Sequence, residues 1–327
     1  MTAVSPKTLA IMAVLAGFCG VISQSTAAPS ANSKTEIVPF QTAPFPYDGL
    51  PPGQDKPFFD IEQDGRRGHT SLRGGIYWED TTYSDRSVLL HVPKGFDPGR
   101  AALLIVFFHG NFARLERDVQ NRQQVPRQIL ESGLNAVLVA PQFAVNAADS
   151  SAGRFYEAGA FRGFLDEASS QLARSIGNGR TKHIFEALPV LLIAYSGGYM
   201  PAAWCLHHGG ARDRVRGLVL LDALYAEIDK FADWIEWSEA AFFFSAYSRS
   251  AREENINLQR LLGERGIDFR TALPDTLTPR TVAFLATGED VVHGDFVTRA
   301  WTDDPLVTIL RRIPGYPRGR MRDRTTR

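Results

Sequence analysis

The chain has 327 residues, 44% of them hydrophobic, enough to bury a sizeable core as one large α/β domain or two smaller ones. Lys plus Arg number 36 and Asp plus Glu number 36, giving a formal net charge of +0. That balance leaves no bulk-charge argument for nucleic acid or a strongly acidic partner, so function has to come from sites.

In chain order, Lys7, the apolar run 9–22 and the small residues Ser25-Thr26-Ala27-Ala28 have the three-part form of a secretory signal, with cleavage expected after Ala27. About fourteen apolar residues are too few for a stable membrane span. An exported protein, periplasmic or extracellular, is therefore expected. Phe18 before Cys19 is unlike the small residues that lead into a lipid-attachment cysteine. Without the signal only Cys205 remains, so no intramolecular disulfide can form. Residues 28–67 are proline-rich, from Pro29 to Pro57, and read as an extended segment over the surface. A folded domain is expected over 68–314. The arginine-rich tail 315–327 reads as a solvated end, with contact to anionic lipid or envelope polymer as the alternative.

GGIYWED (74–80) and RSVLLHVP (86–93) have strand character and read as an antiparallel pair at a sheet edge. ALLIVFFHGN (102–111), NAVLVAP (135–141), VRGLVLLDALYAE (215–227), AAFFFSAYSRS (240–250) and TVAFLATG (281–288) contain short apolar runs of the kind buried on both faces of a sheet. Helix-compatible stretches such as 126–131, 161–176 and 252–262 lie between them, and that alternation predicts a mostly parallel central sheet. The polar loop 142–159 falls where loops line the crevice of such a sheet, although a solvated loop is the simpler reading. One helix, 228–237, fits between the Asp222 strand and the FFF strand, and its stripe of Phe231, Trp234 and Trp237 reads as core packing before substrate wall.

The chemistry is carried by LPVLLIAYSGGYM (188–200), where an aliphatic run stops at Tyr195-Ser196-Gly197-Gly198 and a helix with Pro201 in its first turn follows. A serine on so sharp a strand-to-helix turn is strained and exposed, and it needs small residues two before and two after, which Ala194 and Gly198 supply. The bland alternative is a serine that only caps the helix. The turn resembles the nucleophile elbow of the α/β-hydrolase superfamily, Gly-x-Ser-x-Gly, from which Ala194 departs by one methyl group. The resemblance implies a central sheet of about eight strands with helices on both faces, a short lid formed by 228–237, and Ser196 as nucleophile. His109-Gly110-Asn111 looks like the family's His-Gly loop after the third strand. On that resemblance the backbone N–H groups of Asn111 and Gly197 form the oxyanion hole. The resemblance also places a general base after the last strand, which is His293.

The family usually carries its acid after the FFF strand, and this chain has no Asp or Glu there. Some members carry it one strand earlier, where Asp222 stands, although a strand-end aspartate can also cap the next helix. Asp290, three residues before His293, is the rival acid. The order Ser196, Asp222, His293 matches the superfamily order. His69, His91, His183, His207 and His208 read as surface or structural, and none shows zinc-ligand spacing, so neither metal nor cofactor is expected. The sequence thus predicts a serine hydrolase acting on a small or polymeric acyl substrate, an ester first. An amidase or peptidase of envelope material, or a non-catalytic binding protein on the same fold, are the alternatives.

Overall fold

The six-residue runs Leu103–Phe108, Ala136–Pro141 and Val190–Tyr195 are buried at every position, a pattern that requires cover on both faces of a sheet. The computed structural model describes residues 30–177 and 179–317. The expected signal over 1–27 and residues 318–327 of the expected basic tail lie outside the described residues. The strands are β1 (Lys34–Pro39), β2 (Ile61–Gln63), β3 (Arg66–Thr70), β4 (Ile76–Trp78), β5 (Ser87–Val92), β6 (Leu103–Phe108), β7 (Ala136–Pro141), β8 (Val190–Tyr195), β9 (Val215–Leu221), β10 (Phe242–Tyr247) and β11 (Val282–Ala286). The helices are α1 (Val125–Ser132), α2 (Ala160–Ser175), α3 (Lys182–Ala187), α4 (Tyr199–His208), α5 (Ile228–Trp237), α6 (Arg252–Glu264) and α7 (Pro305–Leu310).

Eight strands form the central sheet in the order β1-β5-β7-β6-β8-β9-β10-β11, and β2-β3-β4 form a separate small sheet. Within the central sheet β5 runs antiparallel to β1 and β7, and every other neighbouring pair is parallel. Strand alternation divides the core. Val190, Leu192 and Ala194 of β8 join the cluster that also holds Phe164 of α2, Ala202 of α4, Trp234 of α5 and Leu258 of α6. Leu191, Ile193 and Tyr195 join the opposite cluster with Ile129 of α1 and Leu306 of α7. Each large apolar side chain so buried contributes about 1.5–3 kcal/mol. The expected α/β architecture, mostly parallel with helices on both faces, is the one observed.

Two local expectations are corrected. The stretches 74–80 and 86–93 do not pair: Ile76–Trp78 pairs with β3 in the small sheet, whereas Ser87–Val92 lies inside the central sheet between β1 and β7. A π-helical turn, Glu79–Tyr83, redirects the chain between them. The proline-rich segment is more than a surface leader. It supplies the edge strand β1 and then Phe40, Phe45 and Phe58, each fully buried, with the Phe45 and Phe58 rings 5.4 Å apart. Aromatic side chains of this size outweigh the poor strand character of the prolines between them.

β6 hydrogen-bonds to both β7 and β8, so the chain order reverses between β6 and β8. Open α/β sheets bind ligands outside the carboxyl ends of strands at such a switch point. The segments leaving β6 and β8 are His109-Gly110-Asn111 and Ser196-Gly197-Gly198. Together with the serine turn, this topology is an α/β-hydrolase fold.

Candidate active site

Ser196 has φ +53, a left-handed backbone conformation that costs a side-chain-bearing residue about 1–2 kcal/mol. The turn persists because its surroundings leave room for little else. A Cβ on Gly198 would come within 2.5 Å of the Phe108 carbonyl oxygen, and one on Gly110 within 2.6 Å of the Ser196 Cβ. A Cβ on Gly197 would strike the Asn111 amide oxygen. The two segments predicted to carry the oxyanion donors, at Asn111 and Gly197, therefore press against each other beside the serine. The Ser150 hydroxyl, from the polar loop 142–159, donates to Asn111 Oδ1 at 3.1 Å. That loop reaches the serine turn and is buried at many of its positions, where the simpler expectation was a solvated loop.

His293, in the loop after β11, brings Nε2 to 2.7 Å from Ser196 Oγ and Nδ1 to 2.6 Å from Asp222 Oδ2. A neutral imidazole satisfies both contacts with the proton on Nδ1: the serine hydroxyl donates to Nε2, and Nδ1–H donates to the carboxylate. Tyr195 stacks on the imidazole, ring centroids 5.2 Å apart, and its hydroxyl donates to the His293 carbonyl at 3.2 Å. The ring is thereby held in plane. Asp290 is exposed, and the carboxylate that meets His293 is that of Asp222. Asp222 is fully buried, the Ser196 residue is 9% exposed, and the His293 side chain is 39% exposed, so solvent reaches the site from the histidine side. A shallow depression there is lined by Ser248, Arg249, Ser250, Val291, Val292 and His293.

The buried carboxylate is stabilised by donors that sequence reasoning missed. Asp222 Oδ1 accepts the Ser248 N–H at 2.8 Å, and Oδ2 accepts the hydroxyls of Ser248 at 2.9 Å and Ser250 at 2.8 Å. Tyr225 adds a longer contact at 3.4 Å. Burial pushes this carboxyl up, but the hydrogen bonds from His293, the Ser248 backbone, Ser250 and the Ser248 hydroxyl outweigh it and hold the group below its ordinary range. Ser248 and Ser250 follow β10, the end at which the resemblance expects an acid. The signal was present in AAFFFSAYSRS, as two hydroxyls where a carboxylate was sought.

His109 has a different part. Its Nε2 accepts the Phe143 N–H at 2.9 Å, so the proton is on Nδ1, which donates to the Gly110 carbonyl at 2.7 Å. Burial lowers its pKa to about 4, partly opposed by that hydrogen bond, so it is a neutral strut under the Gly110 turn. An unfolded histidine titrates near 6.5, so as pH falls from about 6.5 to about 4 the unfolded chain takes up a proton that the folded chain refuses. The folded state should lose up to about 3 kcal/mol across that window from this residue alone. Denaturant titrations at stepped pH on wild type and His109→Gln check this: the variant should show the shallower slope, and parallel slopes would refute it.

α5 occupies the position that the resemblance gives to a lid. It packs on α4 and α6, with Phe231 and Trp234 buried and Trp237 at the surface. Among the described residues no group of three or more His, Cys, Asp or Glu side chains is arranged to hold a metal ion, and no helix is long and apolar enough to cross a membrane.

No protein-family model matches the chain, and no curated protein matches it significantly. Solved structures do. The chain is similar to a mutant of the feruloyl esterase module from Clostridium thermocellum complexed with sinapinate, at 15% identity over 82% of this chain and 96% of that one, with a TM-score of 0.44. An S-formylglutathione hydrolase from Agrobacterium tumefaciens aligns at 12% identity over 69% of this chain and 87% of that one, TM-score 0.38. A thermostable esterase from Pseudomonas putida aligns at 11% identity over 86% and 79%, TM-score 0.40. Likenesses this distant assign no substrate, so the chemistry has to be read from the side chains in place.

Proposed function

We propose that this protein is an exported serine hydrolase that cleaves a carboxylic ester through an acyl-enzyme. The observation that carries the proposal is the unbroken chain of hydrogen bonds from Ser196 Oγ through His293 to a fully buried Asp222. His293 Nε2 takes the serine proton as Oγ attacks the ester carbonyl, and Asp222 holds the tautomer and stabilises the imidazolium. The backbone N–H groups of Asn111 and Gly197 receive the developing oxyanion. The imidazolium then protonates the departing alcohol, and a water activated by the same nitrogen releases the acid. Export rests on the sequence form of residues 1–27.

The test is a panel of p-nitrophenyl acyl esters and matched p-nitroanilides with the protein recovered from an exporting host. Ester turnover with weak or no anilide turnover is expected, as is an N-terminus at Ala28. Anilides cleaved as fast as esters would move the protein to the amidase reading, and an intact Met1 in the exported fraction would overturn the cleaved signal.

A further inference from the structure

The segment 71–75 joins β3 to β4 as a tight loop on the rim of the site. Its backbone is closed by Ser71 N–H to the Gly75 carbonyl at 3.0 Å and by Gly74 N–H back to the Ser71 carbonyl at 2.8 Å. Gly74 and Gly75 have φ of +92 and +91, a conformation that glycine adopts without strain. The Ser71 hydroxyl ties the loop to the polar loop 142–159 by donating to the Ala148 carbonyl at 2.9 Å. Two exposed side chains stand next to each other on this loop, Leu72 and Arg73.

The Arg73 guanidinium lies over the face of Tyr225, 5.9 Å from the ring centroid. The same Tyr225 ring is 6.3 Å from the His293 ring, and its hydroxyl touches Asp222 and Ser250. The cation is thus two short steps from the imidazole that abuts Ser196. Arg66 is matched with Asp80, Arg67 with Asp48 and Glu79, and Arg252 with Glu289, whereas Arg249 in the depression is exposed and, among the described residues, meets no carboxylate within ion-pair distance. Among the described residues Arg73 meets no carboxylate within ion-pair distance, and the acids whose charge reaches the Tyr225–Tyr199 neighbourhood are otherwise engaged. Asp149 accepts from Tyr83 and Ser151, Glu227 pairs with Lys230, and Glu254 accepts from Asn257. A guanidinium held over an aromatic face by a cation–π contact, with no carboxylate partner, still has its N–H groups to offer a planar acceptor.

We propose that Arg73 is an anion-recognition residue, and that the protein prefers esters carrying a carboxylate a few bonds from the scissile carbonyl over their neutral counterparts. The inference rests on the hydrolase reading for the position of the scissile bond, but it is testable by binding alone. In the Ser196→Ala protein, which cannot consume the ester, calorimetric titration would compare the monomethyl esters of succinate, glutarate and adipate with dimethyl glutarate. Acetoxyacetate would place the charge on the alcohol side instead. At low salt at least one charged ester should bind about three- to tenfold more tightly than the neutral diester, the range for a partly exposed charge-assisted contact. The preference should shrink as salt is added. Adding Arg73→Gln should remove it, and Arg73→Lys should restore part of it.

Arg249, the exposed arginine that lines the depression beside His293, is the comparison: Arg249→Gln should leave the preference in place. Absence of any preference, a preference that survives Arg73→Gln, or one lost with Arg249→Gln alone would each overturn the proposal. Fluorophosphonate labelling of wild-type protein is scored separately, so a failed hydrolase reading and a failed anion site give different results.

Discussion

Replacing Ser196 with alanine should reduce ester turnover by about a millionfold, since a triad that loses its nucleophile keeps only what the oxyanion donors and binding supply. His293→Ala should cost about as much. The double variant should be scarcely worse, because the two side chains act as one unit across the 2.7 Å contact. Alanine is the informative replacement: it retains a Cβ in the φ +53 turn, so the backbone strain of the elbow and the packing of Gly110 against it stay as they are. The melting temperature should therefore stay near that of wild type while turnover vanishes. A fluorophosphonate should label wild type at Ser196 and leave the alanine variant unmodified, read by intact-protein mass spectrometry. Folded wild-type protein that resists the probe would return this chain to the binding-protein reading.

Much of the fold was legible because strands buried on both faces announce themselves by apolar runs, unbroken in β6, β7 and β8 and interrupted only by Arg216 in β9 and Ser245 in β10. The serine turn was legible for a related reason, since a left-handed residue between a buried strand and a helix leaves a trail of small neighbours. Pairing was harder. β1 lies in a proline-rich stretch whose partner, β5, is about fifty residues further on, and no periodicity within β1 reveals that pairing. The small sheet β2-β3-β4 is joined by Asp64-Gly65, with φ of +52 and +73, and by the loop carrying Gly74-Gly75, a hairpin signal that the pairing of 74–80 with 86–93 passes over.

The acid was ambiguous for a geometric reason. Asp290 is close to His293 in sequence and Asp222 is 71 residues away, yet contact depends on which strand ends sit side by side. β9 and β10 are adjacent and parallel, and the Asp222 N–H donates to the Ala246 carbonyl at 2.8 Å, so the Asp222 carboxylate emerges beside Ser248 and Ser250. The two hydroxyls stand in AAFFFSAYSRS, but nothing within that segment ties them to a carboxylate on the neighbouring strand. The Arg73 loop escaped for the same reason, since its relation to Tyr225 exists only after the small sheet has docked on the loop 142–159.

Asp222→Asn should lower kcat/KM by about ten-thousandfold, whereas Asp290→Asn should leave it within about twofold. The amide matches the carboxylate in shape but brings an NH2 group into a site built of donors. The Ser248 N–H, the two serine hydroxyls and His293 Nδ1–H all point at oxygen acceptors. To satisfy that amide, the imidazole has to place its proton on Nε2, where it can no longer accept from Ser196. The deficit should therefore fall in kcat more than in KM, and fluorophosphonate labelling should slow in parallel. Stability gives an independent readout with a definite sign. A carboxyl held below its ordinary pKa stabilises the fold above the pKa of the unfolded chain, and that contribution is lost as pH falls through the lower folded value. The gap in denaturant midpoint between wild type and Asp222→Asn should accordingly be widest near neutral pH and close in acid. Full activity in Asp222→Asn, or a collapse in Asp290→Asn, would transfer the acid's role to the exposed loop after β11.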